Sequence, residues 1–442
     1  MASIAQVSQA MQTVLTTVAD TAARATGFVQ RASKLTGALF TQTLVLGFLS
    51  EPNATRENLA QTAAALGLHI SPQALDQRMT EAGASCLLDV LDAAAATVLA
   101  AEPVASALFS RFNGVYIQDS TLIGLPSTLA HIWRGTGNKH TASEQSARLK
   151  LSVRLNLSTG AMVGPHTDHG LTSDRSIVLQ TQPIPKGALR IADLGFFVLD
   201  VLRDTDDAGG YWLSRLQCNT AVCDQHGMRI ELPSFLAAQE TATVDVPVLL
   251  GARHQLPCRL LAVRAPQEVT DQRRRRLREE GKRRGRAPSA LQLALAEWTL
   301  FVTNVPNELM TVKEALILGR CRWQIELLFK LWKSQGGIAR FRSGKAGAIL
   351  CELYAKVIAM IIQHWILLVG CWGYADRSLT KASATVRRHA MCLATALRCG
   401  SRLAEAIEII AACVAVGCRI NKSKKTPHTY QLLLDVTEAT LG

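Results

Sequence analysis

Nine residues constrain the fold most: Leu149 to Leu157, LKLSVRLNL. Apolar and polar side chains alternate there without interruption, the period-two signature of a strand buried on one face and open to solvent on the other. Such a strand needs a sheet. Residues 1 to about 110 have a different texture, rich in Ala and helical, with few strand signals. Helical texture before and strand texture after predict an α/β chain.

Further strand and helix signals follow from Gly114. Val115–Gln118 is a short apolar run ending at Asp119, and Ser158-Thr159-Gly160 is a turn leading to a hairpin partner at Ala161–Pro165. Ser173 to Gln182 reads as a helix capped by Ser173 or Asp174. Leu189–Ala192 is a strand ending at Asp193, Phe196–Arg203 a helix and Tyr211–Leu216 a strand. Residues 217–297 interrupt this pattern with β-rich segments at Thr243–Leu250 and Arg259–Val263. Strand texture returns at Trp298–Val305, and Val312–Ser334 predicts one long helix. The organisation expected is therefore a helical region at 1–110, a sheet domain at 111–216 resumed at 298–372, an insertion at 217–297, and a helical end at 373–442.

At 442 residues and 48% hydrophobic, the chain is long and apolar enough for several cores, which excludes a largely disordered protein. Lys plus Arg exceeds Asp plus Glu by 48 − 35 = 13. A positive excess on a folded chain points to phosphates, on nucleic acid or on an anionic membrane. Aromatic residues, at 5%, are too few for stacking on single strands to be the main binding mode. The 11 cysteines form no Cys-x2-Cys pair, and read as reduced thiols of a cytoplasmic protein. Met1–Ala22 lacks the pattern of a signal peptide. Val357–Trp372 is apolar but only 16 residues long and carries Gln363 and His364; a spanning helix needs about 20, so a buried core helix is expected and no membrane partner.

Two segments suggest contact with DNA. Asp271 to Arg286 holds nine basic residues, among them Arg274, Arg275 and Arg283, against three acids. That density is the electrostatic footprint of phosphate binding, although a solvated helix or loop would also carry it. Thr55 to Met79 gives two short apolar faces joined at Gly67, with Ser71-Pro72 starting the second. This is either a helix-turn-helix, with Gln73, Gln77 and Arg78 towards DNA, or an ordinary helical hairpin. A basic tail follows at Lys422, Lys424 and Lys425.

Carboxylates carry the chemistry. Asp119 in VYIQDST and Asp193 in LRIADLGFF end apolar strands, where an Asp either starts a turn or is held rigidly as a ligand for a divalent metal. In RCRWQIELLFKLWKSQ, Arg322, Glu326, Lys330 and Lys333 stand at offsets 0, 4, 8 and 11, within about 80° of one another on a helix. Ile325, Leu328, Phe329 and Trp332 occupy the opposite side. An acid among three cations is either a ladder of surface ion pairs or a metal-binding Glu whose neighbours grip phosphates. His166-Thr167-Asp168-His169 lacks the four-ligand pattern of zinc.

These segments resemble the DDE transposases of the insertion-sequence-four type. The resemblance covers most of residues 110–340 and rests on YIQDST, on ADLGFF, and on a Tyr-x2-Arg-x3-Glu-x6-Lys signature that falls on Gly319, Arg322, Glu326 and Lys333. YWLSRL and FVTNVP also look like family segments. The resemblance implies an RNase-H-like mixed sheet with flanking helices, a β-rich insertion between the second Asp and the Glu, and a helical N-terminal DNA-binding region. It further implies a transposase that cleaves and joins double-stranded DNA at terminal inverted repeats. Asp119, Asp193 and Glu326 would hold two Mg²⁺ ions, with Mn²⁺ a substitute, and Arg322, Lys330 and Lys333 would hold the backbone. Pairing of two ends implies a homodimer. Two departures stand out: Gly319 replaces the signature tyrosine, and residues 217–297 contain no Trp for a hairpin step. The competing readings are a nuclease of the same fold without strand transfer and a non-catalytic DNA-binding regulator.

Overall fold

The computed structural model describes residues 2–135, 146–374, 376–398, 400–421, 429 and 431–433. The tail lysines Lys422, Lys424 and Lys425 lie outside them. Six helices come first: α1 (Ile4–Thr13), α2 (Ala19–Ala25), α3 (Gly37–Ser50), α4 (Arg56–Ala65), α5 (Pro72–Arg78) and α6 (Glu81–Ala96). Local chemistry starts them, at Ser71 as expected. Ser3, Thr36, Thr55, Ser71 and Thr80 each cap a helix by accepting a backbone N–H from the first turn. Then follow β1 (Val115–Leu125), β2 (Ala147–Asn156), β3 (Met162–His169), α7 (Val178–Thr181), β4 (Leu189–Ala192), α8 (Leu199–Asp207) and β5 (Tyr211–Arg215). The segment expected as an insertion supplies β6 (Val222–Cys223), α9 (Leu232–Ala237), β7 (Thr243–Leu250), β8 (Leu256–Arg264), α10 (Gln267–Arg284) and α11 (Ala290–Leu295). The chain ends in β9 (Trp298–Thr303), α12 (Val312–Cys321), α13 (Trp323–Ser334), α14 (Ala346–Leu367), α15 (Leu379–Arg388), α16 (Ala390–Ala396) and α17 (Gly400–Gly417).

The fold is mixed α/β and falls into two compact units, one of Met1–Ala105, Asp119–Ser173 and Gln324–Tyr430, the other of Ser106–Gln118, Asp174–Trp323 and Gln431–Gly442. In the first, α14 is the central element. Every residue from Gly347 to Leu367 is buried, so the apolar run is a core helix; it is the one described helix long and apolar enough to cross a membrane. Its two charges are buried as a pair: Lys356 Nζ lies 3.7 Å from Glu352 and donates to the Arg340 carbonyl at 2.6 Å, while Arg56 of α4 reaches Glu352 at 3.3 Å. β2 and β3 form an antiparallel hairpin in this unit.

In the second unit, β1 (through Val115–Gln118) and β4 pair in parallel, as do β4 and β5. β5, β9, β8, β7 and β6 then pair antiparallel in that order. The β-rich segment is thus no separate sheet: its strand β8 pairs along β9 from Arg259–Thr303 to Arg264–Trp298. A shared core of Trp212, Trp298, Leu250, Leu260 and Val302 lies beneath these strands.

Four local expectations are corrected. β1 runs six residues beyond Asp119, which therefore stands inside a strand and not at its end. β2 is buried on both faces; Lys150, Ser152, Arg154 and Asn156, expected in solvent, are all covered. Only Val178–Thr181 of the predicted Ser173–Gln182 helix forms. The long helix at 312–334 is two, interrupted at Arg322, and no proline or glycine in residues 320–324 marks the break.

Candidate active site

Two of the predicted acids each come one residue after a β1–β4 pair. Gln118 is paired with Ala192, and Asp119 and Asp193 are the residues that directly follow them. Asp119 is partly buried, and its Oδ1 accepts the Ser120 amide at 2.8 Å. Asp193 has extended backbone and opens a single 3₁₀ turn, Leu194–Phe196, whose last amide returns to the Asp193 carbonyl at 2.9 Å. Its side chain is 48% exposed and lies 3.9 Å from Arg322 Nε, too open and too long for a strong pair.

Three buried residues of β1, α7 and β4 escaped the sequence reading. Gln118, Gln180 of α7 and Arg190 of β4 are buried and joined by hydrogen bonds. Gln180 also donates to the Phe196 carbonyl at 2.9 Å. The one signal for them was a polar side chain inside an apolar run.

Glu326 stands in the first turn of α13, where a carboxylate suits the positive end of the helix. Ile325, Leu328, Phe329, Leu331 and Trp332 bury the helix, which leaves Glu326, Lys330 and Lys333 on the other side, as the spacing predicts. Arg322 lies between α12 and α13, with helical backbone. Glu326, Lys330 and Lys333 line a cleft of about 470 Å³ together with Asp119, Ser120 and Thr121. Partial burial holds the Lys333 ammonium below the usual lysine pKa.

The fit of Mg²⁺ to these residues is a matter of donor type. Among the described residues no three His, Cys, Asp or Glu side chains cluster closely enough to hold a metal ion, the His166–His169 stretch included. Mg²⁺, however, needs only one or two carboxylates and completes its shell with water and substrate phosphate oxygens. Asp119 and Glu326 on one open cleft satisfy that requirement.

Gly319 has a packing reason. A Cβ there would fall 2.5 Å from Cζ and 2.8 Å from Cε1 of Phe301, which fills the space between α12 and β9. The signature tyrosine has no room at this position.

The basic run forms α10, an 18-residue helix with only Thr270 and Gly281 buried. Arg275 and Arg283 are exposed. Arg274 is engaged within the protein, donating to the Leu293 carbonyl and pairing with Glu297 at 2.6 Å. Trp298 is core, 6% exposed, with the Arg264 guanidinium 4.8 Å from its ring centre. α4 and α5 form the expected pair of short helices with Gly67 at φ +85° between them, and Gln73 and Gln77 are exposed on the second. Arg78 instead turns back, donating to the Phe28 carbonyl at 2.8 Å with its guanidinium over the Phe28 ring.

Residues 110–362 match the family described as Transposase DDE domain. The chain is 27% identical over 319 residues to the transposase of insertion sequence element IS231F from Bacillus thuringiensis subsp. israelensis, covering 68% of this chain and 66% of the relative. It is 26% identical over 371 residues to the IS231D transposase of subsp. finitimus, covering 78% and 75%. The IS1151 transposase of Clostridium perfringens is 26% identical over 277 residues, covering 58% and 57%. With more than half of its 442 residues inside the matched domain, the chain belongs to the DDE transposase family.

Proposed function

We propose that this protein cuts and joins double-stranded DNA at the ends of an insertion sequence, with Asp119, Asp193 and Glu326 as its metal-holding carboxylates on an RNase-H-like sheet. The observation that carries the reading is the cleft in which Asp119 and Glu326 meet Lys330 and Lys333. Parallel β1, β4 and β5, with the β2–β3 hairpin following β1 in the chain, support the RNase-H-like reading. Two Mg²⁺ ions, when bound, would acidify the attacking water or 3′-hydroxyl and stabilise the leaving oxygen. The chain's own residues do the rest. Lys330 and Lys333 neutralise and position phosphates beside the scissile bond, and Arg322 holds the DNA backbone with them. The exposed cations of α10 add affinity, and the α4–α5 pair with Gln73 and Gln77 contributes end recognition. No protein nucleophile is required, and two ends brought together call for a homodimer.

The test is Mg²⁺-dependent cleavage of a labelled duplex carrying the DNA that flanks this gene, with wild type beside Glu326→Ala and gel-shift binding in parallel. Site-specific nicking lost in the variant while binding persists supports the proposal. Specific binding without cleavage in Mg²⁺ or Mn²⁺ makes the protein a regulator, and cleavage without end joining makes it a nuclease.

A further inference from the structure

The Gln118–Gln180–Arg190 cluster lies where β1 and β4 deliver their aspartates, and its chemistry is unusually complete. Gln118 is 0% exposed, Gln180 1% and Arg190 4%. The Gln180 Oε1 accepts from Gln118 Nε2 at 3.5 Å and from Arg190 Nη2, while its Nε2 donates to the Phe196 carbonyl at 2.9 Å. One amide therefore holds three separate points: the last β1 residue before Asp119, the second strand β4, and the end of the turn that Asp193 opens. The position suits a carboxamide. It needs an acceptor facing two donors and a donor facing a carbonyl, and glutamine carries both on one group. Side chains alternate across a strand, so Gln118 and Arg190 share one sheet face and Asp119 follows Gln118 onto the other.

We propose that Gln180 is a positioning residue for the aspartates: from the back of the sheet it ties Gln118, Arg190 and the Phe196 carbonyl together, and so fixes where β1 and the turn after β4 present Asp119 and Asp193. The inference rests on the reading of these aspartates as metal-holding groups. Displacement of a catalytic group by about 1 Å costs roughly 10²-fold in rate, so a lock of this kind has a large effect without touching substrate.

Gln180→Glu is the discriminating variant. It keeps the acceptor for Arg190 and Gln118 but turns the contact with the Phe196 carbonyl from a hydrogen bond into repulsion. The expected result has three parts, measured on the full chain. Binding to the DNA ends and the thermal midpoint stay near wild type. Cleavage falls about 10- to 100-fold, and half-saturating Mg²⁺ rises several-fold. Amides of residues 193–197 exchange faster with deuterium in metal-free protein, because the turn is released. Cleavage, Mg²⁺ dependence and exchange all equal to wild type overturn the proposal while the functional reading stands. A wild type that cuts no DNA overturns the functional reading and this proposal with it. If Gln180→Glu does not fold, Gln118→Leu decides: it removes one arm of the cluster and keeps β1 apolar. A several-fold loss of cleavage and a raised Mg²⁺ requirement support the proposal, and wild-type behaviour overturns it.

Discussion

Two helices of this protein carry cations in different ways, α10 (Gln267–Arg284) and α13 (Trp323–Ser334). α10 is nearly all polar surface, and its basic residues outnumber its acids eight to four. α13 has only Lys330 and Lys333 against Glu326, but five of its residues are buried and fix the helix against the core. The cations of α13 line a cleft with Asp119, whereas Arg275 and Arg283 of α10 are solvated and Arg273 and Arg276 line a different cleft whose one acid is Glu280. Arg273 reaches the carbonyls of Ala296 and Trp298 and the Thr299 hydroxyl, and burial pulls its pKa down. On the proposed function, the dense charge run of α10 supplies affinity, and the sparse charges on the anchored face of α13 support the chemistry.

The comparison breaks first at Glu326. Glu326→Gln keeps the size of the side chain and removes its charge. Loss of one preorganised electrostatic group costs about 10²- to 10³-fold in rate, and that fall is expected in DNA cleavage with gel-shift affinity unchanged. A variant that cuts at the wild-type rate would dissolve the distinction between the two helices, since α13 would then be one more basic surface.

What was legible in the sequence follows the same division between local pattern and tertiary cover. β4 and β7 fall where their apolar runs and flanking residues put them. The face of Glu326, Lys330 and Lys333 was legible because helical periodicity is a property of the chain itself. Alternation in β2 reported a strand correctly, but not that its polar side is covered. There burial holds the His166 pKa down, against the opposing pull of Asp168 and of Asp92 from α6, which packs on β3. The extension of β1 through Asp119, Ser120 and Thr121 carries no apolar period, so nothing in the pattern marks it as strand. Gln180 was invisible for a related reason. Its role comes from partners 62 and 16 positions away, Gln118 and Phe196.

Gly319 sharpens the comparison on the helix that leads into α13. If phosphate grip along α12–α13 lacked one member, restoring the tyrosine with Gly319→Tyr would raise cleavage. Phe301 predicts otherwise. Overpacking of a filled contact costs about 1–3 kcal/mol, so Gly319→Tyr is expected to lower the midpoint of thermal unfolding by a few degrees without raising cleavage. Phe301→Ala in the same chain relieves the clash, and the double variant should recover part of the loss. Independent, additive losses in the two single variants would show that the two positions do not share this space.

The smallest effect is expected on α10, and it concerns salt more than rate. Arg275 and Arg283 are exposed, unlike Arg273 and Arg274, whose guanidinium groups bond within the protein. If both reach phosphates, Arg275→Ala with Arg283→Ala removes two contacts, and the slope of log affinity against log salt becomes shallower by about 1.8. Between 50 and 200 mM salt, wild type should then lose roughly tenfold more affinity than the double variant. Cleavage at saturating protein should not change, because neither arginine lines the Asp119–Glu326 cleft. An unchanged salt slope would remove these two arginines from the DNA surface. A fall in the saturated cleavage rate would mean that α10 acts in the chemical step, and the contrast with α13 would be one of degree. The same titration on Arg274→Ala separates the two uses of arginine on this helix. Loss of its bonds to Leu293 and Glu297 should weaken the packing of α10 against α11 and lower thermal stability, with the salt slope close to wild type.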